Sequence, residues 1–568
     1  MWDLSCVDWQ DRLRDGRSLI PDLPLFQGEA DMAAAFYDEM QLPDVPGVPK
    51  LRTASGQWFR DIVRAAFGSW DPVNRTRMIR DIFALAPKGS SKTSYSAALM
   101  LVSMLMNYRP RATALFVGPT QAISLRAYEQ AVGMIEESPD LRRRFKPHDH
   151  EMTIEDLVTK SEIAVKTFDL KILTGAMGLI FVLLDELHLL GKSVHTAKVL
   201  RQIRGGLDKT PEGLLMITTT QSDDIPAGAF RSELKMARNI RDGKYKGRII
   251  RPMLPVLYEF PPDIAAKPKD GTPPLWQDPE TWPMVMPNLG KSIHLPDLVA
   301  DWNTERDKGL DAINVWASQH LNIEIGVGIS NDGWRGADYW EAAADTSLTL
   351  DKLLERSEVV TIGIDGGGLD DLLGLAVIGR DKVNRDWLVW THAWADRSVL
   401  DLRKDIASHL EDFAADGELT LCDVPEDAEQ VAAVVRQVMD SGLLPAENSI
   451  GLDPNNVAAL IEALLNVGVE DAMIKRLLQG PALAPAVYGL PRKLKDGTLW
   501  HSGQTMMGWV MGNAKVEARG NALMITKQTS GRAKIDPLIA ILQAGILMSW
   551  NPEGVPDISD FLSNAVMA

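Results

Sequence analysis

In 568 residues the chain has only two cysteines, Cys6 and Cys422. That excludes a disulfide framework or a Cys-rich zinc site and suits a reducing cytoplasm. Long apolar runs are also missing: the longest, Ala97–Met106, has about half the length a membrane span requires. The opening stretch, Met1–Gly16, alternates acids and bases and lacks the apolar core of a signal peptide. Positive charge is in deficit, with 60 Lys and Arg against 77 Asp and Glu and a formal net charge of −17. This argues against a protein coated in nucleic acid, although a local DNA-contacting surface remains compatible with it. The two basic clusters, Arg142–Arg144 with Lys146 and Lys235–Lys246 with Arg248 and Arg251, read first as solvated faces. No low-complexity tract or fixed-period repeat is present.

What is there is ordinary globular composition, 45% hydrophobic and 24% charged, on a chain too long for one core. Between Arg80 and Thr220, short apolar runs alternate with amphipathic stretches. Ile82–Leu85, Thr113–Val117, Ile180–Leu184 and Leu214–Ile217 read as buried strands of a mostly parallel, doubly wound sheet. From Arg251 to Pro296 the texture turns to Pro, Trp and charge, which suggests a lid or irregular connection. A second α/β pattern follows, with Val359–Ile364, Gly374–Ile378 and Trp387–Thr391 as an antiparallel meander, then Ser449–Leu452, and a last helix from Asp536. The expected organisation is an N-terminal segment (1–60), a first α/β domain (61–250), a lid or linker (251–340) and a second α/β domain (341–568).

The strand Ile82–Leu85 runs into APKGSSKT and then a helix, Ser94–Asn107. This resembles a P-loop, although Ala86 and Ser91 stand where the full pattern has Gly. Backbone N–H groups of Gly89, Ser90 and Ser91 at the helix start would cradle phosphate oxygens of ATP. Lys92 would reach the β- and γ-phosphates, Thr93 would hold Mg²⁺, and Lys88 would add charge near the γ-phosphate. An ordinary polar strand-to-helix loop fits this segment alone equally well. The run LIFVLLDELHLL weighs against that plainer reading. It delivers Asp185 and Glu186 to the carboxyl edge of a sheet, where open α/β folds bind ligands. Asp185 would bind Mg²⁺ and Glu186 would orient the attacking water. A third strand, LLMITTTQS, ends in Thr218, Thr219 and Thr220, hydroxyls able to sense a γ-phosphate.

In the second half, acids stand at three element ends. Asp365 closes VVTIGID before three glycines, Asp453 follows Ser449–Leu452 in GLDPNN, and Asp536 opens the last helix before Pro537. Acids on a first strand, a later central strand and a last helix form the RNase H-like arrangement, suited to holding two divalent ions for phosphodiester cleavage. Helix capping alone would account for Asp453 and Asp536. Asp370 and Asp371 are auxiliary acids, Asp423 is the rival for the second position, and His501 is a further residue near the metals or a structural one.

The ordered set resembles the tailed-phage terminase large subunit. Its carriers are Pro87–Thr93, LLDELH, TTTQS, DPETWPMVMPNLGKSI (278–293), and SQHLNIEIG followed by Trp334, and the likeness runs from about Arg60 to Met548. The resemblance implies a P-loop (RecA/ASCE-like) ATPase domain with a lid and an RNase H-like nuclease domain. It implies an ATP-driven motor that translocates double-stranded DNA into a procapsid, and a nuclease using Mg²⁺ or Mn²⁺ that cuts the concatemer. Thr218–Thr220 then correspond to its coupling motif. Its partners are the portal protein, a small terminase subunit and further copies of the chain in a docked ring, in the host cytoplasm and without a membrane. Ring ATPases of this kind take an arginine from a neighbouring subunit, for which Arg201 and Arg204 are candidates. Three other readings are weighed: a translocase or helicase-like ATPase without nuclease activity, a structural remnant that no longer turns over, and a transposase-like enzyme. Intact Lys92, Thr93, Asp185 and Glu186 oppose the remnant, and the ATPase half is superfluous for the transposase.

Overall fold

Continuous apolar runs build the first sheet, because strands covered on both faces need no polar alternation. Its strands are β1 (Asp81–Leu85), β2 (Thr113–Gly118), β3 (Phe145–His148), β4 (Thr153–Asp156), β5 (Glu162–Thr167), β6 (Leu179–Asp185), β7 (Leu214–Thr219) and β8 (Met253–Leu257). Every residue of β1, β2, β6, β7 and β8 is buried. The order is β8-β1-β7-β6-β2-β5-β4-β3. The first six are parallel, and β4 and β3 continue the sheet antiparallel. The computed structural model describes residues 2–169, 178–191, 195–223, 225–266, 272–324, 334–404, 406–453, 458–478, 480–519, 522–527 and 534–554. The chain divides into two compact units, Met1–Ile325 and Gly326–Ala568.

Strand β8 lies within the stretch expected to be a lid, and Met253 pairs with Asp81. Pro252 and Pro255 belong to the Pro-rich texture from which a lid or irregular connection is expected. At the edge of a sheet, however, a residue without an N–H forfeits no ladder bond. The expected lid region 251–340 therefore divides. Met253–Leu257 belongs to the sheet, and Phe260, Ile264, Ile293 and Leu321 join a separate small core around Trp276, Trp282, Trp302 and Trp316. The Trp302 and Trp316 rings stand 5.0 Å apart. The N-terminal segment is equally integral to the first unit. Tyr37, Trp58 and Phe59 are buried in the same core as Phe83 of β1.

The second unit is a mixed sheet of β9 (Ser357–Gly366), β10 (Leu373–Asp381), β11 (Trp387–Asp396), β12 (Leu419–Cys422), β13 (Ile450–Leu452), β14 (Ile474–Arg476) and β15 (Leu499–His501). The order is β12-β11-β10-β9-β13-β14, with β15 also paired to β11. β9, β10 and β11 form the expected antiparallel meander, while β12, β13, β14 and β15 pair in parallel. Helix Asp536–Ser549 lies on β9 and β10, and the glycines of those strands set its depth. A Cβ on Gly374 would sit 2.7 Å from Pro537 Cα, and one on Gly363 would collide with the Ala540 carbonyl. Thr361 Oγ1 donates to Ala544 O (2.9 Å), and Ile364 N–H donates to Gln543 Oε1 (3.1 Å). Among the described residues no helix is long and apolar enough to cross a membrane.

Candidate functional site

The loop after β1 turns into helix Lys92–Leu105 through two left-handed residues, Gly89 (φ 86°) and Ser91 (φ 55°). Ser91, which stands in place of the pattern's glycine, takes the conformation a glycine would, at a cost of roughly 1 kcal/mol. Residues far along the chain hold it there. Asn288 Nδ2 lies 3.5 Å from Ser91 Oγ and donates to Tyr95 OH (2.9 Å), and its Oδ1 accepts from Trp58 Nε1 (3.2 Å). Ser292 Oγ donates to Gly89 O (2.5 Å), and Lys88 N–H donates to Gln319 O (2.8 Å). The region beyond β8 is thus bonded directly to the loop.

Lys92 is buried, and its ammonium donates to the carbonyls of Ala86 (2.8 Å) and Pro87 (3.1 Å). Burial lowers its pKa, against the pull of Glu186 and Asp185. Asp185, at the end of β6, accepts from Thr93 Oγ1 on one oxygen and from Thr218 Oγ1 on the other, both at 2.7 Å. Burial raises this carboxyl above the usual range, helped by the charge of Glu186 and opposed by the two hydroxyls and Lys92. For Glu186 burial acts in the same sense, but His188 and the Lys92 charge outweigh it and hold the group below its ordinary value. Three hydroxyls follow in sequence on β7 and just beyond it. Thr218 bonds Asp185, Thr219 Oγ1 accepts from the His188 backbone N–H (3.1 Å), and Thr220 Oγ1 lies 3.4 Å from His188 Nδ1. Gln221 N–H then donates to Asn322 Oδ1 (3.1 Å), and Asn322 Nδ2 donates to Tyr258 O (2.8 Å).

The structure brings Lys92, Thr93, Asp185, Glu186 and Thr218–Thr220 together. Arg204 is committed within its own chain, to Asp81 Oδ2 (2.8 Å) and, through two nitrogens, to Glu233 (2.6 and 2.7 Å). Asp81 begins β1, so Arg204 clamps the start of that strand to Glu233 within its own chain. Arg201 is exposed and donates to Ala197 O (3.3 Å) on its own helix.

In the second unit, strand register places the acids. Asp365 of β9 pairs with Gly374 of β10, the glycine over which Pro537 sits, so Asp536 stands above that rung. Leu452 pairs in parallel with Ile364, so Asp453 follows beside Asp365. One sheet edge therefore receives acids from β9, from the end of β13 and from the last helix. Asp365 and Asp536 are buried. Even so, among the described residues no three His, Cys, Asp or Glu side chains come close enough to hold a metal ion. Residues 454–457, which follow Asp453, lie outside the described residues. Lys534 is also buried here. Its Nζ donates to Asp371 Oδ1 (2.8 Å) and to the Asp370 carbonyl. A lysine two positions before a candidate acid was the available signal.

Asp423 follows β12, separated from β9 by two strands, and is 73% exposed. His501 also departs from the metal-proximal alternative. It lies on β15, stacked on Trp340 (3.8 Å), with Nε2 donating to Trp340 O (2.6 Å) and Nδ1 accepting from Gly503 N–H (3.0 Å). Burial pushes its pKa down to about 4. Because the unfolded chain protonates near 6.5 and the folded chain resists until about 4, this neutral histidine's contribution is full above pH 6.5 and is lost as pH falls toward 4. The total is about 3 kcal/mol, of which about 2 kcal/mol is gone by pH 5. Chemical-unfolding midpoints measured from pH 7 to 5 should therefore fall less steeply for His501→Phe than for wild type. Equal slopes would remove His501 from the account of acid sensitivity.

A family described as terminase large subunit, endonuclease domain, matches residues 266–551. No curated protein sequence matches the chain. Among solved structures, the chain is similar to the HK97 bacteriophage large terminase at 16% identity, covering 91% of this chain and 99% of that one, with a TM-score of 0.45. The large terminase of a thermophilic bacteriophage, in complex with ADP, is 11% identical over 84% and 94%, with a TM-score of 0.29. The large terminase nuclease of a second thermophilic phage is 11% identical over 33% and 80%, with a TM-score of 0.23. None of the three superposes closely enough to bear on function.

Proposed function

From the premise that this chain belongs to the terminase large subunit family, we propose that its first unit hydrolyses ATP to drive double-stranded DNA into a procapsid and its second unit cuts the concatemer. The observation that carries the ATPase half is Asp185, whose two oxygens are held by the Thr93 hydroxyl on the loop helix and the Thr218 hydroxyl on β7. A carboxylate and two hydroxyls form an oxygen-only set suited to Mg²⁺. In this reading Lys92 and Lys88 contact the β- and γ-phosphates, and the N–H groups of Gly89, Ser90 and Ser91 cradle them. Thr93 and Asp185 would hold the ion, Glu186 orients the attacking water, and Thr218–Thr220 relay loss of the γ-phosphate to Asn322 through Gln221.

Asp365, Asp453 and Asp536 are the group that would hold the nuclease ions, Mg²⁺ or Mn²⁺, and an all-carboxylate set fits such hard cations. Two ions there would supply an activated water and charge stabilisation at the leaving oxygen. The paired glycines Gly366 (φ 98°) and Gly367 (φ 106°) turn the chain away immediately after Asp365. The partners this function requires are duplex DNA, the portal protein, a small terminase subunit and further copies of the chain in a docked ring, in the host cytoplasm.

One observation favours a second reading, a DNA-translocating ATPase that does not cut: the three acids share an edge without their carboxylates converging. One preparation distinguishes the two. Under the first reading it nicks and linearises plasmid DNA in Mn²⁺ and hydrolyses ATP in Mg²⁺, and chelation stops both. ATP hydrolysis with no cleavage in either metal would leave only the translocase.

A further inference from the structure

Glu186 follows Asp185 in a left-handed conformation (φ 56°, ψ 51°), and its carboxylate meets a side chain the proposed mechanism does not use. His188 Nδ1 lies 3.2 Å from Glu186 Oε2, 3.1 Å from Thr219 Oγ1 and 3.4 Å from Thr220 Oγ1. The protonation of that nitrogen follows from its neighbours. A carboxylate offers only lone pairs, and the Thr219 proton is already donated to Thr220 O (2.9 Å), so the two nearer neighbours of Nδ1 both favour the tautomer with its hydrogen there. The nitrogen faces the Thr219 hydroxyl at 3.1 Å, with the carboxylate oxygen 3.2 Å away. Glu186 Oε2 is buried and has no aligned hydrogen bond, so the 3.2 Å contact acts at ion-pair distance and leaves that oxygen with accepting capacity.

The imidazole is itself fixed. Its backbone N–H is bonded to Thr219 Oγ1 (3.1 Å), and its ring meets Phe230 edge-on at 6.4 Å between centroids. The neighbouring Leu187 is fully buried and anchors the short helical turn Leu187–Leu190. The water-orienting acid and the hydroxyls at the end of β7 thus meet on one ring nitrogen.

We propose that His188 is a positioning residue for ATP hydrolysis. Its ring nitrogen, in close contact with Glu186 Oε2 and with the hydroxyls of Thr219 and Thr220, keeps the carboxylate beside that strand end, so that a shift of the strand end carries the carboxylate with it. The inference rests on the reading of Glu186 as the group that orients water. It links Glu186 to the threonine run through a side chain and not through the backbone alone.

The test uses the full chain and steady-state ATP hydrolysis by His188→Leu, His188→Asn and Glu186→Gln, with thermal melting recorded for each. Leucine keeps the bulk beside Phe230 and removes the donor; asparagine restores a donor at nearly the same reach. His188→Leu is expected to lower kcat about 10- to 100-fold with KM for ATP within about twofold, and His188→Asn to recover to within about threefold of wild type. Wild-type turnover by His188→Leu overturns the proposal. So does an equal fall in both His188 variants accompanied by a lower melting temperature, which is the signature of a packing residue. Glu186→Gln separates the two levels. If it stays active, the assignment of Glu186 fails and this inference with it. If it is inactive while His188→Leu is unaffected, the role of Glu186 stands and His188 alone is excluded.

Discussion

Replacing Asp365 by asparagine is expected to lower plasmid cleavage by about 1,000-fold, roughly 4 kcal/mol of transition-state stabilisation, while ATP hydrolysis stays within about twofold of wild type. The substitution is nearly isosteric, so it changes charge at a buried position without opening a cavity. Asp365 occupies the rung where three elements meet: its own strand, Gly374 with Pro537 above it, and the end of β13 one step from Ile364. An anionic ligand removed there leaves Asp453 and Asp536 short of the charge that two divalent ions need. The ATPase residues lie in the other compact unit, which is why hydrolysis should survive. If Asp365→Asn cuts as fast as wild type, the acids are helix caps and strand ends, and the non-cutting translocase becomes the account of this chain.

The complementary substitution, Lys92→Ala, should reduce ATP hydrolysis by about 100-fold or more, roughly 3 kcal/mol, and leave Mn²⁺-dependent cleavage intact. Lys92 is held by two loop carbonyls in a buried setting, so its ammonium is already positioned at the phosphate loop. Its charge also stabilises the ionised forms of Asp185 and Glu186, both of which feel it electrostatically. Losing the lysine therefore removes the proposed phosphate contact and weakens the charged state of the acid proposed to orient water. ATP turnover and cleavage measured on the same samples separate the two engines. A Lys92→Ala protein that hydrolyses ATP normally would remove this loop from the mechanism.

Much of this architecture is legible in the linear order of residues, for a local reason. A strand buried on both faces must be apolar throughout, so LIFVLLD and LLMITT announce themselves without reference to anything distant. The loop between β1 and its helix is equally local, because phosphate-cradling geometry requires small residues and a lysine within one turn. The strand Met253–Leu257 is not legible in this way because Pro255 is tolerable only at an edge, and edge position is a property of the assembled sheet.

The linear order of residues already carries the two α/β patterns, the loop ending in Lys92 and Thr93, the acids at the ends of strands, and the family that their order resembles. Tertiary structure decided what each of these groups touches. It put Asn288, nearly two hundred residues downstream, against Ser91, and so settled how a serine is held in a left-handed turn. It tied Arg204 to Asp81 and Glu233 within its own chain, and made His501 a stacked, neutral core residue. It also placed His188 between Glu186 and the threonine run. The physical reason is one of range. Backbone propensity and apolar periodicity act over a few residues and are written in neighbouring letters. Hydrogen bonds and ion pairs depend on distances of about 3 Å between groups that only the folded chain brings together.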